Sequence, residues 1–263
     1  MRWRRLGWAG VELEAEGESL VIDHLLDPGI LNAFLTSERD EFVTPEPEKA
    51  LAALVTHLHR DHTDVAAIGA ALSEQGTAFR PLPKPVVSKL EHVATGEAEQ
   101  QFAESALAVE TCAAGHTSVV GPFTVTALFA SDGLGSPQVS WLIEADGRKV
   151  LHGGDTLWHA HWWDIAAIHG APDVAFLPAN GAMIAYPGWQ PAAEMPAVLT
   201  PEQAVAAAAA LRAKALVPIH YNRTFEHADY YRPVADAEER ILERAAELPL
   251  EVHFSEPGAW FGD

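Results

Sequence analysis

Three histidines and an aspartate stand within six positions of one another, in the segment His57-Leu-His59-Arg-Asp61-His62. Neutral imidazole nitrogens and carboxylate oxygens are the groups that bind zinc and similar divalent metals, at about 2.0–2.2 Å. The segment follows residues 51–56, an apolar run with the length of a buried strand. Because alternate residues leaving a strand can aim at one point, we expect His57 and His59 to bind one ion. Asp61 and His62 would then face a second ion beside it.

Three further candidate ligands each follow a predicted strand. Asp155 comes after two glycines at the end of the hairpin 139–153, and glycine allows the backbone to approach a site closely. His220 ends the apolar segment 215–219, and Asp132 follows the segment 124–131. Each has an ordinary alternative, since glycines also mark turns, strand-end histidines are often structural and aspartate is common in turns.

The histidine and cysteine contents limit how a metal could be held. The chain has 13 histidines and one cysteine, Cys112. A single thiol excludes both a disulfide scaffold and a thiolate-rich zinc or iron–sulfur cage. Imidazole and carboxylate groups must therefore supply the ligands of any bound metal.

The charge balance is acidic, with 37 Asp and Glu residues against 17 Lys and Arg residues and a formal net charge of −20. Nucleic-acid affinity rests on neutralising phosphates with basic residues, so a DNA or RNA partner is disfavoured. The first residues lack the continuous apolar stretch of a signal peptide, and no run approaches the roughly 18 apolar residues of a membrane span. We therefore expect a cytoplasmic protein without membrane insertion, whose partner is a small-molecule substrate.

The elements that must position these residues follow from local patterns, and the length of 263 residues is compatible with a single domain over 1–263. A hairpin is predicted over 11–22, and the Asp146-Gly147 pair predicts a type I′ turn inside the hairpin 139–153. Thr200, Pro201 and Gln203 form a capping box that begins an alanine-rich helix. Further strands are predicted over 86–88, 108–112, 123–129 and 173–178, further helices over 64–75, 97–107, 162–169 and 235–247, and a loop over 186–196.

At this point the chain resembles the metallo-β-lactamase superfamily. The loop from Thr56 to His62 matches the signature of that superfamily, Gly154-Asp155 after a hairpin is similar to its bridging-aspartate motif, and Pro218-Ile-His220 is similar to its last ligand motif. The opening Leu6-Gly-Trp-Ala-Gly-Val, followed by Val21-Ile-Asp23, resembles the branch of L-ascorbate-6-phosphate lactonases and N-acyl-phosphatidylethanolamine phospholipase D-like proteins. The resemblance implies an α+β fold, a four-layer αββα sandwich with two mixed sheets packed face to face and helices outside.

The resemblance also implies two metal sites, with one departure from the usual ligands. His57, His59 and Asp132 would hold one ion, Asp61, His62 and His220 the other, and Asp155 would bridge them. The superfamily usually has a histidine where this alignment places Asp132, and His116 in Ala114-Gly-His is the alternative candidate. We expect zinc first, but a carboxylate in that position hardens the site and makes manganese or iron more competitive.

The expected activity is metal-dependent hydrolysis, in which a metal-bridged hydroxide attacks a lactone, ester or phosphodiester. Asp61 is the candidate for orienting the nucleophile and passing its proton. Candidate substrate-binding residues follow the predicted strands or lie just after Asp155: His159, Asn180, Tyr221 and Asn222. An iron-dependent oxidoreductase on the same scaffold, or a non-catalytic metal-binding protein, is the alternative, and a homo-oligomer stays open.

Overall fold

The chain forms two large β-sheets, the first from its N-terminal strands and the second from later strands. Helices connect some of these strands along the chain. The computed structural model describes residues 1–84, 89–185 and 194–262. Its strands, numbered in chain order, are Arg2–Gly7 (β1), Gly10–Ala15 (β2), Glu18–Ile22 (β3), Ala50–Leu54 (β4), Leu72–Pro81 (β5), Ala108–Cys112 (β6), Thr117–Val120 (β7), Phe123–Phe129 (β8), Val139–Ala145 (β9), Arg148–His152 (β10), Val174–Pro178 (β11), Met183–Ile184 (β12), Met195–Pro196 (β13), Ala215–Ile219 (β14), Tyr231–Arg232 (β15) and Glu251–Val252 (β16).

The helices within the described residues alternate irregularly with the strands along the chain. They are Val65–Ala71 (α1), Lys89–Glu104 (α2), Trp162–His169 (α3), Pro201–Ala210 (α4) and Ala237–Ala245 (α5), with a 3-10 helix at Gly29–Phe34. The first sheet has the order β1-β2-β3-β4-β5-β6 and the second β16-β14-β11-β10-β9-β8-β7. A small third sheet has the order β13-β12-β15.

Among the described residues, three of the apolar clusters fill the spaces between four layers. The inner cluster joins the two sheets through side chains such as Ile22, Leu54, Trp141 and Phe176. A second cluster packs α1 and α2 against the outer face of the first sheet, and a third packs α3, α4 and α5 against the second sheet. Alternate residues of one strand enter different clusters, because successive side chains of a strand point to opposite faces. The predicted αββα sandwich is confirmed.

Local signals that specify a backbone conformation gave accurate predictions. Asp146 and Gly147 both have positive φ, 51° and 69°, as the predicted type I′ turn requires. Thr200 caps α4, its side chain accepts a hydrogen bond from Gln203 N, and the Gln203 side chain accepts one from Thr200 N. The hairpin over 11–22, the strands over 108–112 and 123–129 and the helix over 162–169 are also confirmed.

The helix predicted over 64–75 is wrong beyond Ala71. Its N-cap is Asp64, but α1 ends after two turns and β5 begins at Leu72. Pairing of β5 between β4 and β6 buries Ala78 and Phe79, and this tertiary contact outweighs the local preference for helix.

Other predicted bounds also shift. The helix predicted over 97–107 is α2 and starts at Lys89, and the helix predicted over 235–247 is the shorter α5. The strand predicted over 86–88 lies outside the described residues, as does most of the loop 186–196, whose last two residues form β13. No helix in the described part of the chain is long and apolar enough to cross a membrane.

Candidate metal centre

The predicted ligands meet at one edge of the sandwich because the strands before them end there. In the first sheet β3, β4 and β5 are parallel, and in the second sheet β8, β10, β11 and β14 all run the same way. The loop 56–62 follows β4, Asp132 follows β8, Asp155 follows β10 and His220 follows β14. Loops at the carboxyl ends of such strands commonly form binding sites.

Gly154 allows the two sheets to approach closely at this edge. It has φ of 59°, and an added Cβ atom would lie 2.7 Å from the Thr56 side chain. Any other residue would push Asp155 away from the loop 56–62. The prediction that the glycines before Asp155 permit a close backbone approach is confirmed.

Four side chains form what we call the four-ligand group: Asp61, His62, Asp155 and His220. One ligand atom from each lies within 4.8 Å of the others. His62 Nε2 lies 2.9 Å from Asp155 Oδ1, and His220 Nε2 lies 3.3 Å from an oxygen of both Asp61 and Asp155. Two imidazole nitrogens and two carboxylates therefore converge on one point.

A second set, the three-ligand group, consists of His57, His59 and Asp155, again with ligand atoms within 4.8 Å of one another. His57 Nε2 lies 3.8 Å from Asp155 Oδ2. Asp155 belongs to both groups, and this is the position that the resemblance implies for a bridging carboxylate. The structure thus brings six of the seven predicted metal ligands into two adjoining groups.

The histidines of the centre are oriented from outside by hydrogen bonds. His62 Nδ1 donates to Asp23 Oδ2 at 2.8 Å, and the Thr56 hydroxyl donates to the same oxygen at 2.7 Å. Because the Thr56 hydroxyl hydrogen is used in this way, His57 Nδ1 donates to Thr56 Oγ1, at 3.0 Å. The lone pairs of His57 Nε2 and His62 Nε2 then face the centre, as carboxylate–histidine–metal arrangements require.

The buried atoms at this edge fit bound cations. His57 Nε2, His62 Nε2 and Asp155 Oδ1 are buried and have no hydrogen-bond partner within the described part of the chain. His62 Nε2 and Asp155 Oδ1 are close, but they lack the alignment of a hydrogen bond. Buried acceptors without a donor are costly, and a divalent cation would satisfy all of them. This donor set of imidazole and carboxylate therefore suits a metal centre.

Charges inside the centre keep Asp155, Asp61 and His57 in the form that a metal binds, whereas, against the effect of burial, the same carboxylates raise the pKa of His62 and His220 until a cation takes the place of the proton. Burial alone would raise the pKa of Asp155, but the His220 and His62 rings hold it well below its ordinary value. Burial likewise opposes ionisation of Asp61, yet His62 and His220 lower its pKa overall. Burial and the neighbouring His62 and His59 lower the pKa of His57, so its ring is neutral. Carboxylates and a neutral imidazole are the ligating states.

Comparison with known proteins identifies the family. The profile described as Beta-lactamase superfamily domain matches residues 21–221. The chain belongs to this superfamily. It is 27% identical over 238 residues to a UPF0173 metal-dependent hydrolase from Thermococcus kodakarensis, and the match covers 84% of this chain and 91% of that protein. The more specific branch suggested by the residues before Asp23 stays a prediction.

Solved structures share the fold at low sequence identity. Igni18, a metallo hydrolase from Ignicoccus hospitalis, matches with a TM-score of 0.66 and 19% identity, over 100% of this chain and 98% of that one. CmlA, a diiron β-hydroxylase from Streptomyces venezuelae, matches with a TM-score of 0.67 and 17% identity, over 97% of this chain and 53% of that one.

Asp132, the position where this chain departs from the superfamily pattern, lies beside the three-ligand group. Its Oδ1 atom is 4.0 Å from His59 Nδ1, and its Oδ2 atom accepts hydrogen bonds from the backbone of Leu134 and Ser136 at 3.0 and 2.7 Å. Burial raises its pKa, although His59 and the Ser136 amide act in the opposite direction. It is a neighbour of His59, but it does not join the three-ligand group in the described structure, so its role as a ligand stays a prediction.

His116, the alternative to Asp132, lies in the turn before β7. Its Nε2 atom is 2.8 Å from both Glu110 Oε1 and Ser118 Oγ. With Glu110 and Cys112 it forms another cluster of ligand types, and among the described residues this cluster includes none of the centre's ligands. The position of His116 therefore favours Asp132 as the residue next to His59.

The predicted substrate-binding residues take different places. Asn180 is buried behind the centre, where its Nδ2 atom donates to the Tyr231 hydroxyl at 3.2 Å. His159 stacks on Trp162 with ring centroids 3.9 Å apart. Tyr221 lies 3.4 Å from Arg5, and Asn222 accepts a hydrogen bond from Thr224 N. None of these four residues lines the pocket described below, so substrate contact by any of them stays a prediction.

Sequence reasoning missed residues that touch the ligands. Trp8 Nε1 donates to Asp61 Oδ2 at 3.2 Å, and the Trp8 ring lies 3.9 Å from the His220 ring. The Tyr231 hydroxyl lies 3.2 Å from His220 Nδ1. Trp8 stood in the opening segment that carries the family resemblance, but no spacing signal pointed to Tyr231. Asp23 and His220 also have left-handed backbones, with φ of 46° and 48°, and such strain is typical of functional sites.

A pocket of about 260 Å³ opens directly onto the centre. His59, Asp61, Asp132 and Asp155 form its floor. The rest of its lining is mostly apolar and comes from the 3-10 helix, from α2 and from the region of the small third sheet: Ile30, Leu31, Phe34, Arg60, Val93, Ala94, Leu134, Ile184, Ala197, Phe225 and Tyr231.

Proposed function

We propose that this protein is a metal-dependent hydrolase with a two-metal centre that acts on a small molecule, a lactone, an ester or a phosphodiester. The observation that carries the proposal is the pair of adjoining ligand groups that share Asp155 at the floor of a pocket. The UPF0173 relative from Thermococcus kodakarensis carries a hydrolase name, which supports the same reaction type.

The residues present indicate which side chains would hold each ion. Asp61, His62 and His220 would bind one metal, His57, His59 and Asp132 the other, and Asp155 would bridge. Bound divalent metals of this kind lower the pKa of water from 15.7 to about 7 and polarise the oxygen of an electrophile. We propose zinc as the resident metal, with manganese or iron as the alternatives, because Asp132 stands where the superfamily usually has a histidine and a carboxylate hardens that half of the centre.

Asp61 is the residue to which we assign proton transfer. Its side chain is 13% exposed and lines the pocket, while Trp8 and His220 hold Oδ2 in place. A carboxylate fixed in this way can orient the attacking water and accept its proton. The proton would then pass to the leaving oxygen.

The alternatives proposed from the sequence receive less support. A diiron β-hydroxylase shares the fold, so an iron-dependent oxidoreductase remains the second candidate. A non-catalytic metal-binding role would leave the pocket beside the ligands without a purpose. We keep the cytoplasmic location and a small-molecule partner as part of the proposal.

The test combines metal analysis with activity. Purified protein is stripped with a chelator, reloaded separately with zinc, manganese or iron, and assayed on a lactone, a carboxylic ester and a phosphodiester. We expect two equivalents of metal and hydrolysis of at least one class, and we expect His62→Ala to lose the one equivalent that His62 would hold, together with hydrolysis. Full metal loading without turnover on any class would contradict the proposal, and stoichiometric iron with oxygen consumption would favour the oxidoreductase.

A further inference from the structure

We infer that the substrate of this centre is an uncharged ester or lactone with a hydrophobic acyl group, and that phosphorylated compounds are disfavoured. The inference rests on the proposed hydrolase function and narrows its substrate class. Three features of the pocket carry it: its apolar wall, the full engagement of its guanidinium group and the carboxylates on its floor.

The wall of the pocket beside the centre is apolar. Leu31 and Phe34 project from the 3-10 helix Gly29–Phe34, and Phe225 and Ile184 face the same space from other parts of the chain. Ile30 is 59% exposed at this wall, a degree of exposure that costs free energy unless a ligand covers it. Pockets lined in this way take hydrophobic ligands and orient them with a few polar groups.

Arg60 is the basic residue of the described lining, and its guanidinium is already occupied. Nη1 donates to Thr63 O and to Gln101 Oε1 at 2.9 Å, and Nη2 donates to Asp27 O at 3.0 Å. Nε lies 3.3 Å from Glu97 Oε2. Arg60 is buried, and its bonds support the segment that leads into the 3-10 helix. Arg60 therefore supports the segment that carries the apolar wall, and its guanidinium has no free pair of N–H groups to bind a phosphate.

The floor is acidic before any substrate arrives. Asp61, Asp132 and Asp155 all line the pocket, so their charges offset most of the charge that two divalent cations would bring. Within the described lining, a dianionic phosphate would meet no basic side chain other than the engaged Arg60, and an unpaired charge costs more in a site partly shielded from water.

The reaction on such a substrate balances without a further reactant. The oxygen of water bonds to the acyl carbon, and the bond between that carbon and the alkoxy oxygen breaks. The alkoxy oxygen takes one proton from the water, which gives an alcohol, and the acyl part leaves as a carboxylate with release of the second proton. The hydrophobic acyl chain would lie along Leu31, Phe34 and Phe225 throughout.

The test compares p-nitrophenyl esters that differ in one property at a time, with zinc-loaded or manganese-loaded protein. Acetate and hexanoate esters differ in chain length, and the mono-p-nitrophenyl ester of adipic acid adds a terminal charge to a six-carbon chain. Bis(p-nitrophenyl) phosphate provides the phosphodiester. We expect kcat/KM for hexanoate to exceed that for acetate by at least about tenfold, since each buried methylene contributes about 0.8 kcal/mol. The adipate ester should fall below the hexanoate ester by a similar factor.

Two variants test whether the apolar wall of the pocket causes the preference for hexanoate over acetate. Phe34→Ala and the more exposed Ile30→Ala should each reduce the ratio of hexanoate to acetate kcat/KM several-fold. Ile168→Ala, an exposed isoleucine on α3 outside the pocket, should leave the ratio unchanged.

The outcomes separate this inference from the proposed function. Equal kcat/KM for acetate and hexanoate, faster turnover of the adipate ester, or a larger acceleration of the phosphodiester over its uncatalysed rate would overturn the inference while the hydrolase proposal stands. No hydrolysis of any of these compounds with zinc, manganese or iron would overturn both.

Discussion

The two halves of the centre share Asp155 but differ in how firmly their other ligands are held. In the four-ligand group the distances between imidazole nitrogens and carboxylate oxygens are 2.9 to 3.6 Å. Around the three-ligand group the corresponding distances are wider, 3.8 Å from His57 to Asp155 and 4.0 Å from His59 to Asp132.

The hydrogen bonds that orient the histidines from outside the centre are also more extensive in the four-ligand group. His62 is fixed by Asp23, and His220 is held by Tyr231, which in turn receives a hydrogen bond from Asn180. Among the described residues, His59 is held by a hydrogen bond with a serine hydroxyl, that of Ser136, which lies in a loop. Outer hydrogen bonds orient ligands before a metal arrives, so the four-ligand group is the better prepared half. We expect it to bind the first equivalent of metal more tightly.

Loss of Asp155 should have the largest effect, because this residue serves both halves. We expect Asp155→Asn to lose both tightly bound equivalents and all measurable turnover. The check is metal content after dialysis together with the rate on the best substrate. Asp229→Asn, a change at an exposed aspartate, is the control and should retain both properties. Retention of one equivalent by Asp155→Asn would show that the halves are independent.

Substitution of Asp132 should remove one of the two equivalents of bound metal. Asp132→Ala is expected to lose the metal of the half that includes His57 and His59 and to keep the other. His116→Ala should retain both, because His116 pairs with Glu110 away from the centre. Elemental analysis of the two variants decides the matter, and our assignment is wrong if only the His116 variant loses an equivalent.

Asp23→Asn should weaken the four-ligand group more than the three-ligand group, because Asp23 holds His62 directly but reaches His57 only through Thr56. Asp23 accepts hydrogen bonds from His62 and from both the amide and the hydroxyl of Thr56. Loss of such a partner lowers metal affinity by roughly 10–100-fold. A competition titration with a chelator should show the first binding step weakened more than the second. Equal weakening of both steps, with an unchanged circular dichroism spectrum, would contradict the difference between the halves.

Tyr231→Phe should have the smallest effect, because it removes one hydroxyl and keeps the ring that lines the pocket. We expect a loss of about tenfold or less in the affinity of the first metal, since His220 keeps its place against Trp8. Tyr230→Phe, the neighbouring position, is the matched control. An effect larger than that of Asp23→Asn would show that Tyr231 does more than position His220.

Sequence alone predicted those features that depend on local chemistry. The dense ligand loop, the Asp146-Gly147 turn and the Thr200 cap each have a direct physical signature, and the structure confirms the elements around them. The sandwich itself came from the family resemblance, because local periodicity does not show how sheets stack.

Long-range contacts explain what the sequence did not reveal. Helical propensity after Asp64 gave no warning that β5 would begin at Leu72, since pairing with β4 and β6 decides it. Tyr231 lies 11 residues beyond His220, in a strand of two residues, and only the fold brings its hydroxyl to the ring. The pocket likewise combines segments far apart in sequence, so its apolar wall had no local signal.

The most direct test of the account is a calorimetric titration of metal-free protein with zinc. We predict two equivalents in two resolved steps, the tighter one assigned to the four-ligand group by its greater weakening in Asp23→Asn, with hydrolytic activity appearing as the metal is added. A stoichiometry of one, or no saturable binding at all, would contradict a two-metal centre.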